Sequence, residues 1–349
     1  MFSGKGLVFV EENRCEVETV TIDESGLEPG QLIIETECSV VSAGTEVANF
    51  TGLDPGARTP GSWNFYPWRP GYGAIGCVVA LGPRHPETEG KYSVGDRVFA
   101  ISSHARFSLA DPTKRPVVPI RPDDDAHTLI LARMASVSIT AMRKATNVSF
   151  GGNVIVVGLG LVGNFAAQLL QLNGMRVLGL DRSKHRVEMA TATGVEAIPV
   201  DDTTTRDSIL SFLGEMRGAD IVVEASGVPD AVSFGVGLAA DGADIILLGS
   251  PRGVMHEDAT KLLSAIHHRG LRLIGALEWL LPLASGPWQA RWSLLDDYML
   301  LFDLFRQGRV RTTGLVSDVV KPEQAQDTYS RLATEGSSMG AVLFDWRSG

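Results

Sequence analysis

Cysteine is scarce in this chain: three in 349 residues, at Cys15, Cys38 and Cys77. The count is odd, the spacings are wide and no C-x-x-C pair occurs, which excludes a disulfide framework and a zinc ribbon. Long apolar runs are missing as well. No run approaches the ~18 residues that a membrane-crossing helix needs, and the opening MFSGKGLVFVEENR lacks an apolar core of signal-peptide length. Basic charge is in deficit, with 31 Lys and Arg against 41 Asp and Glu and a net charge of −10. A protein that reads nucleic-acid backbones is expected to carry the opposite sign. The seven histidines contain no H-x-x-x-H pair, and the adjacent His267 and His268 point to different helix faces. These absences lead us to expect a cytoplasmic enzyme that acts on a small molecule, with neither nucleic acid nor membrane as partner.

Apolar content is not scarce. At 44% hydrophobic and 21% charged, the chain can fill sizeable cores, and its length makes two domains the natural expectation. The most informative stretch is residues 153–186, NVIVVGLGLVGNFAAQLLQLNGMRVLGLDRSKHR. Asn153 to Val157 reads as a buried strand. Gly158, Gly160 and Gly163 then form G-x-G-x-x-G at its exit. A helix follows, with apolar Phe165, Ala166, Leu169, Leu170 and Leu172, and Gly174 ends it. A second strand, Arg176 to Leu180, leads to Asp181.

Each glycine has a separate job in such a unit. Gly158 permits the tight turn, Gly160 lets backbone approach a pyrophosphate, and Gly163 lets helix pack on strand. The helix N-terminus, with Leu161 and Val162 in its first turn, offers unpaired N–H groups to phosphate. Asp181 stands 18 residues after Gly163, where an acid can accept from both hydroxyls of an adenosine ribose. The same carboxylate repels a 2′-phosphate, so NAD is expected over NADP. Arg182, Lys184 and Arg186 just beyond it would neutralise such a phosphate, or else form a solvated helix start.

Before this stretch, residues 5–41 alternate like strands separated by turns: KGLVFVEE, CEVETVTI and LIIETECSVV. Ser42 to Gly52 reads as a polar, glycine-bearing segment. Residues 53–73, LDPGARTPGSWNFYPWRPGYG, form a loop with Trp63, Phe65, Tyr66, Trp68 and Tyr72 among four prolines. Its aromatics either plug a core or line a pocket. Ile75 to Gly82 and part of 91–103 read as strands, and 104–122 as an extended connection. From Asp123 a helical pattern begins, with Asp123–Asp125 favouring its N-terminus. Strands and helices alternate from Gly151 to about Ala276, which means a doubly wound parallel sheet. Three tryptophans, Trp279, Trp288 and Trp292, precede a further helix. The tail adds strand-like GLVSDVV, a helix from Pro322 to about Glu335, and a closing strand GAVLFDW.

In this order, VGDRVFA, GLGLVG, Asp181, VVEASG and KPEQAQDTYSRL resemble the medium-chain dehydrogenases/reductases, the superfamily of zinc alcohol dehydrogenases and quinone reductases. The resemblance runs nearly end to end. It implies an α/β fold: a Rossmann doubly wound parallel sheet over 126–284, plus a GroES-like β-rich catalytic domain over 1–125 completed by 285–349. It also implies nicotinamide bound between the domains, and a homodimer or homotetramer. The family's catalytic-zinc motifs are altered. Where a cysteine ligand starts the first motif, the segment reads Ala43-Gly44-Thr45-Glu46. Where a histidine ligand stands in the second, it reads Gly71-Tyr72-Gly73, and residues 100–122 contain no cysteine for a structural zinc. Zinc needs three or four Cys, His or carboxylate ligands, so no metal is expected. The pattern is similar to the zinc-independent branch that includes bacteriochlorophyllide dehydrogenases.

The resemblance assigns the remaining site residues. Thr45 matches a proton-relay hydroxyl. Tyr72 is either a general acid/base or a ring filling the vacated metal cavity. Glu46 matches an acid behind the metal, or forms a structural ion pair. Thr140, Ala225, Ser226, Gly249 and Ser250 should face the dinucleotide. Trp63, Tyr66, Trp68, His104 and Trp279 are candidates for a pocket that suits a bulky, cyclic or sugar-like substrate; the tryptophans suit a subunit interface equally. The expected function is hydride transfer between NAD(P) and a secondary alcohol or ketone. A zinc-free NADPH enoyl or quinone reductase is the alternative, against which Asp181 argues. A non-catalytic dinucleotide-binding homologue is another.

Overall fold

The computed structural model describes all residues except 215–216, 257, 287–291 and 348–349. Trp288 therefore lies outside the described residues. The chain opens with β1 (Phe2–Glu11), β2 (Arg14–Ile22) and β3 (Leu32–Val40), followed by helix α1 (Ala43–Phe50). Next come β4 (Ala74–Leu81), β5 (Arg97–Ala100), β6 (Phe107–Ala110), β7 (Val117–Pro119), α2 (Ala126–Leu129) and α3 (Ala132–Lys144). The alternating region runs β8 (Asn153–Val157), α4 (Leu161–Leu172), β9 (Arg176–Asp181), α5 (Lys184–Ala192), β10 (Glu196–Pro199) and α6 (Arg206–Leu213). It continues with β11 (Ala219–Glu224), α7 (Pro229–Leu238), β12 (Ala239–Leu247), α8 (Ala259–Arg269) and β13 (Arg272–Gly275). The tail holds α9 (Leu294–Arg306), β14 (Val316–Val320), α10 (Ala325–Glu335) and β15 (Ala341–Asp345).

Two compact units result. Unit 1 is 1–133, 281–303 and 316–349; unit 2 is 134–280 and 304–315. In unit 2 the described strands are ordered β10-β9-β8-β11-β12-β13, and every pairing is parallel. Counted from β8 this is the order 3-2-1-4-5-6 of a Rossmann sheet. All five residues of β8 are buried, as a strand covered on both faces requires. The order reverses between β8 and β11, so their carboxyl ends form the switch point outside which ligands bind.

Unit 1 is built on antiparallel pairs apart from the parallel pair β14–β15. Its larger sheet runs β14-β15-β3-β4-β5-β7, with β6 on β3, and β1 pairs with β2 separately. The C-terminal strand β15 pairs with β3 through Leu343↔Val40 to Asp345↔Cys38, and this pairing draws the tail into the unit. One core of this unit gathers Phe9, Phe50, Tyr329, Phe344 and Trp346.

Three local expectations need correction. Within the polar, glycine-bearing segment 42–52, to which the sequence assigns no regular element, residues 43–50 form α1. Its glycine and threonine hid a helix that is held from outside, because four of its eight residues are buried. The extended connection over 104–122 contains two short strands, β6 and β7, each completed by pairing with a distant partner. The single helix expected from Asp123 is split. Asp125 caps α2 by accepting from Thr128 N–H at 2.9 Å, and α3 begins after Leu131.

Candidate active site

In unit 2 the glycine turn has the geometry that its spacing demands. Gly158 has φ +92°, and a Cβ there would lie 2.7 Å from Ser226 N. A Cβ on Gly163 would lie 1.8 Å from the Gly158 carbonyl oxygen and 3.2 Å from the Ala225 side chain. Gly249 is equally confined, 2.3 Å from Gly227 N by the same measure. Gly158, Gly163, Ala225, Ser226 and Gly249 therefore meet at the switch point. Ser226 and Ser250 are exposed beside it. Gly160 differs: within 4 Å of its missing Cβ lies only Arg186 Cζ, at 4.0 Å. Gly160 is also the N-cap of α4 and provides no side-chain cap, so the first-turn N–H groups around half-buried Leu161 and Val162 are left for a ligand.

Asp181 ends β9, with 8% of its surface exposed. One carboxylate oxygen accepts from Leu159 N–H at 2.7 Å and the other from Ser183 N–H at 2.8 Å. The Arg186 guanidinium stands 3.8 Å away. These contacts hold the carboxylate at the mouth of the turn as a hydrogen-bond acceptor. Arg182 points to solvent and pairs with Asp202 at 3.0 Å. Thr140 is fully buried in α3, where its hydroxyl donates to the Ser136 carbonyl at 3.3 Å. Glu224 was not singled out from the sequence. Buried at the end of β11, it accepts from Ser226 N–H at 2.7 Å and Gly227 N–H at 3.2 Å. Burial raises its pKa, against the lowering effect of those donors.

In unit 1, α1 presents Thr45 half-buried and turns Glu46 inward, where it is fully buried. Glu46 Oε1 accepts from Ser42 N–H at 2.9 Å. Its Oε2 accepts from His104 Nε2 at 3.0 Å and from the Tyr329 hydroxyl at 2.5 Å. His104 Nδ1 lies 2.7 Å from Ser39 Oγ, which accepts from Trp346 Nε1 at 2.8 Å. The Tyr329 pKa is raised well above the ordinary tyrosine value, by burial first and then by the Glu46 charge. The His104 side chain has no exposed surface, as is usual for a structural histidine.

Tyr72 is half-buried. The Arg133 guanidinium lies 4.3 Å from its ring centroid and donates through Nε to the Tyr72 carbonyl at 3.0 Å. Arg133 is fully buried. Its only sequence signal was a charge inside the apolar helical run LILARMAS. The loop aromatics divide. Tyr66 and Trp68 pack against the core of Phe9 and Phe50, and the Tyr66 hydroxyl donates to the Asn49 carbonyl, so these two take the core-plug arrangement. Trp63 is 67% exposed and meets Trp68 edge-on at 5.6 Å. Trp279, in unit 2, is 40% exposed.

Residues 162–285 match the zinc-binding dehydrogenase family. D-guloside 3-dehydrogenase of Shigella flexneri is 23% identical over 306 residues, 82% of this chain and 84% of that protein. 2-Desacetyl-2-hydroxyethyl bacteriochlorophyllide A dehydrogenase of Cereibacter sphaeroides is 25% identical over 350 residues, 95% of each chain. Over most of its length the chain is thus similar to medium-chain dehydrogenases/reductases. The fold agrees: galactitol-1-phosphate dehydrogenase from Escherichia coli superposes with a TM-score of 0.78 over 98% of this chain and 99% of that one, at 18% identity.

The zinc in that family's name meets an unsuitable set of donors in this chain. Ala43 has no ligand atom, and the Tyr72 ring carries a guanidinium on its face. Glu46 and His104 are buried and spent on each other. Among the described residues no three His, Cys, Asp or Glu side chains converge as a metal site. This donor set does not suit a tetrahedral zinc. A dinucleotide does suit unit 2, where the uncapped helix and the open Gly160 await phosphate.

Proposed function

We propose that this enzyme is a zinc-independent, NAD-dependent alcohol dehydrogenase or ketone reductase for a bulky, cyclic or sugar-like secondary alcohol. The observation that carries the reading is paired. Unit 2 keeps the glycine turn with the anchored Asp181, while unit 1 keeps Thr45 and replaces both metal-ligand positions by Ala43 and Tyr72. The relatives' names support the substrate class, since one acts on a guloside and another on a bacteriochlorophyllide.

A bound dinucleotide supplies the hydride acceptor or donor. The chain's own residues do the rest. The first-turn N–H groups of α4, with Arg186 nearby, bind the pyrophosphate. Asp181 accepts from the adenosine ribose hydroxyls and disfavours a 2′-phosphate. The Thr45 hydroxyl passes the substrate's proton, and the Tyr72 phenol donates a hydrogen bond to the oxygen that gains charge. Arg133 keeps the Tyr72 ring and backbone in place.

The enzyme is proposed to be a homo-oligomer. The last strand of the unit 2 sheet, β13, has one paired edge and leaves Leu273 43% exposed. Leu263 (63%) and Leu280 (66%) are exposed in the same unit. An open apolar edge of this kind is normally covered.

The test combines metal analysis with titration of NADH and NADPH, then turnover of ketones, enones and quinones. Metal-free protein that prefers NADH and reduces ketones is expected. Removing the phenol in Tyr72→Phe should lower kcat by about 10²-fold, the usual loss for one oxyanion donor, with NADH affinity unchanged. Stoichiometric zinc would overturn the metal-free chemistry, and an NADPH preference with enone turnover would favour the reductase reading.

A further inference from the structure

The buried acid behind Thr45 belongs to a chain of hydrogen bonds whose donors can be assigned one by one. An indole N–H only donates, so Trp346 donates to Ser39 Oγ. Ser39 is then free to donate its own hydrogen to His104 Nδ1. That leaves the histidine proton on Nε2, from which it is donated to Glu46 Oε2. Tyr329, whose hydroxyl is held protonated, donates to the same oxygen, and Ser42 N–H donates to the other. Every hydrogen in this arrangement has one acceptor, and the carboxylate takes three donors.

The partners come from far apart in the sequence. Ser39 ends β3, and His104 precedes β6. Tyr329 lies in α10, 283 residues from Glu46, and Trp346 follows β15. His104 and Tyr329 meet Glu46 of α1 directly, and Ser39 and Trp346 stand behind His104. That helix has only eight residues, too few to be stable by itself. Half-buried Thr45, the residue before Glu46, projects about 100° round the helix from it, while Ala43 and Val47 pack against the core that holds Tyr329. Tyr329 is further locked by Phe9 at 4.7 Å edge-on and Phe50 at 5.6 Å stacked, so its hydroxyl has little freedom.

We propose that Glu46, His104, Tyr329, Ser39 and Trp346 form a positioning network that holds α1, and with it the Thr45 hydroxyl, in the orientation for proton transfer. The C-terminal segment thereby becomes part of the catalytic apparatus, although none of its residues touches substrate. This rests on the reading of Thr45 as the proton-relay hydroxyl. Glu46 is accordingly a positioning residue, not a proton-transfer group.

Three measurements on the full chain test the network. In ¹⁵N-histidine NMR, His104 should show the neutral Nε2–H tautomer; the Nδ1–H form would overturn the assignment. Tyr329→Phe keeps the ring packing and removes one donor. Amide exchange over residues 43–50 should then rise about tenfold, as for a buried carboxylate that loses a hydrogen bond, while exchange over residues 158–170 stays the same. Unchanged exchange in 43–50 would overturn the proposal even if the protein turned over no ketone.

With NADH and cyclohexanone as the probe pair, Tyr329→Phe should lower kcat about tenfold with KM nearly constant, because a small displacement of a catalytic group costs rate before binding. In a Thr45→Ala background the same change should have no further effect, whereas additive losses would show that the network does not act through Thr45. His104→Gln, which can still donate and accept, should recover part of the rate that His104→Leu loses; equal losses would count against the donor chain. Absence of any NADH-dependent turnover would defeat the alcohol dehydrogenase reading, and the exchange and tautomer results would still decide the network.

Discussion

Asp181 does two jobs with one carboxylate. It ties the glycine turn to its own strand end through Leu159 N–H and Ser183 N–H, and in the function proposed above it also faces the adenosine ribose. The two jobs are separable by mutation. Asp181→Ser should improve NADPH binding relative to NADH by about tenfold or more, because the repulsion disappears while Arg186 remains. The same variant should lose about 1–3 kcal/mol of stability, because two backbone donors lose a charged acceptor. Fluorescence titration reads the first effect and denaturant unfolding the second. Improved NADPH binding without a stability loss would show that the turn does not depend on the carboxylate.

At the scale of elements, the turn after β11 illustrates how a strand end is held open for a ligand. Glu224 folds back to accept from Ser226 and Gly227, and Gly249, lacking a Cβ, leaves room for the Gly227 backbone. Burial raises the Glu224 pKa, so the folded protein binds a proton that the unfolded chain has released. Stability must therefore fall as pH rises from the ordinary glutamate range through the raised value. Glu224→Gln should remove this component: its Tm should change less with pH across that window than the wild-type Tm. Equal slopes for the two proteins would mean that the carboxylate is ionised throughout. The helix α1 is the other instructive element, because its stability comes from buried contacts and not from its Ala-Gly-Thr-Glu start.

For the whole molecule, the exposed edge of unit 2 is the feature that asks for a second chain. Leu273→Lys, placed at 43% exposure on the edge strand, should leave Tm and NADH binding of the subunit intact. It should shift the mass measured by light scattering towards the monomer. An unchanged mass would assign the interface to another surface.

The repeating parts of this molecule are legible in its sequence. Strand-like runs and helical periodicity identify the parallel sheet, because each βα unit buries its own apolar face against its neighbours. Gly158, Gly160, Gly163 and Asp181 mark the dinucleotide turn, because their roles depend on backbone geometry a few residues away. Ala43 and Tyr72 likewise display the altered metal positions directly. What only the tertiary structure decided is carried by contacts between distant segments. His104 is a lone histidine in the sequence, and its buried contact with Glu46 is visible only in the fold. Tyr329 sits in an unremarkable amphipathic helix and closes the network from 283 residues away. Arg133 looks like a lone charge and stacks on Tyr72. The physical reason is common to all three: a buried polar side chain is stable only when it meets its partner, and no local pattern records where that partner lies.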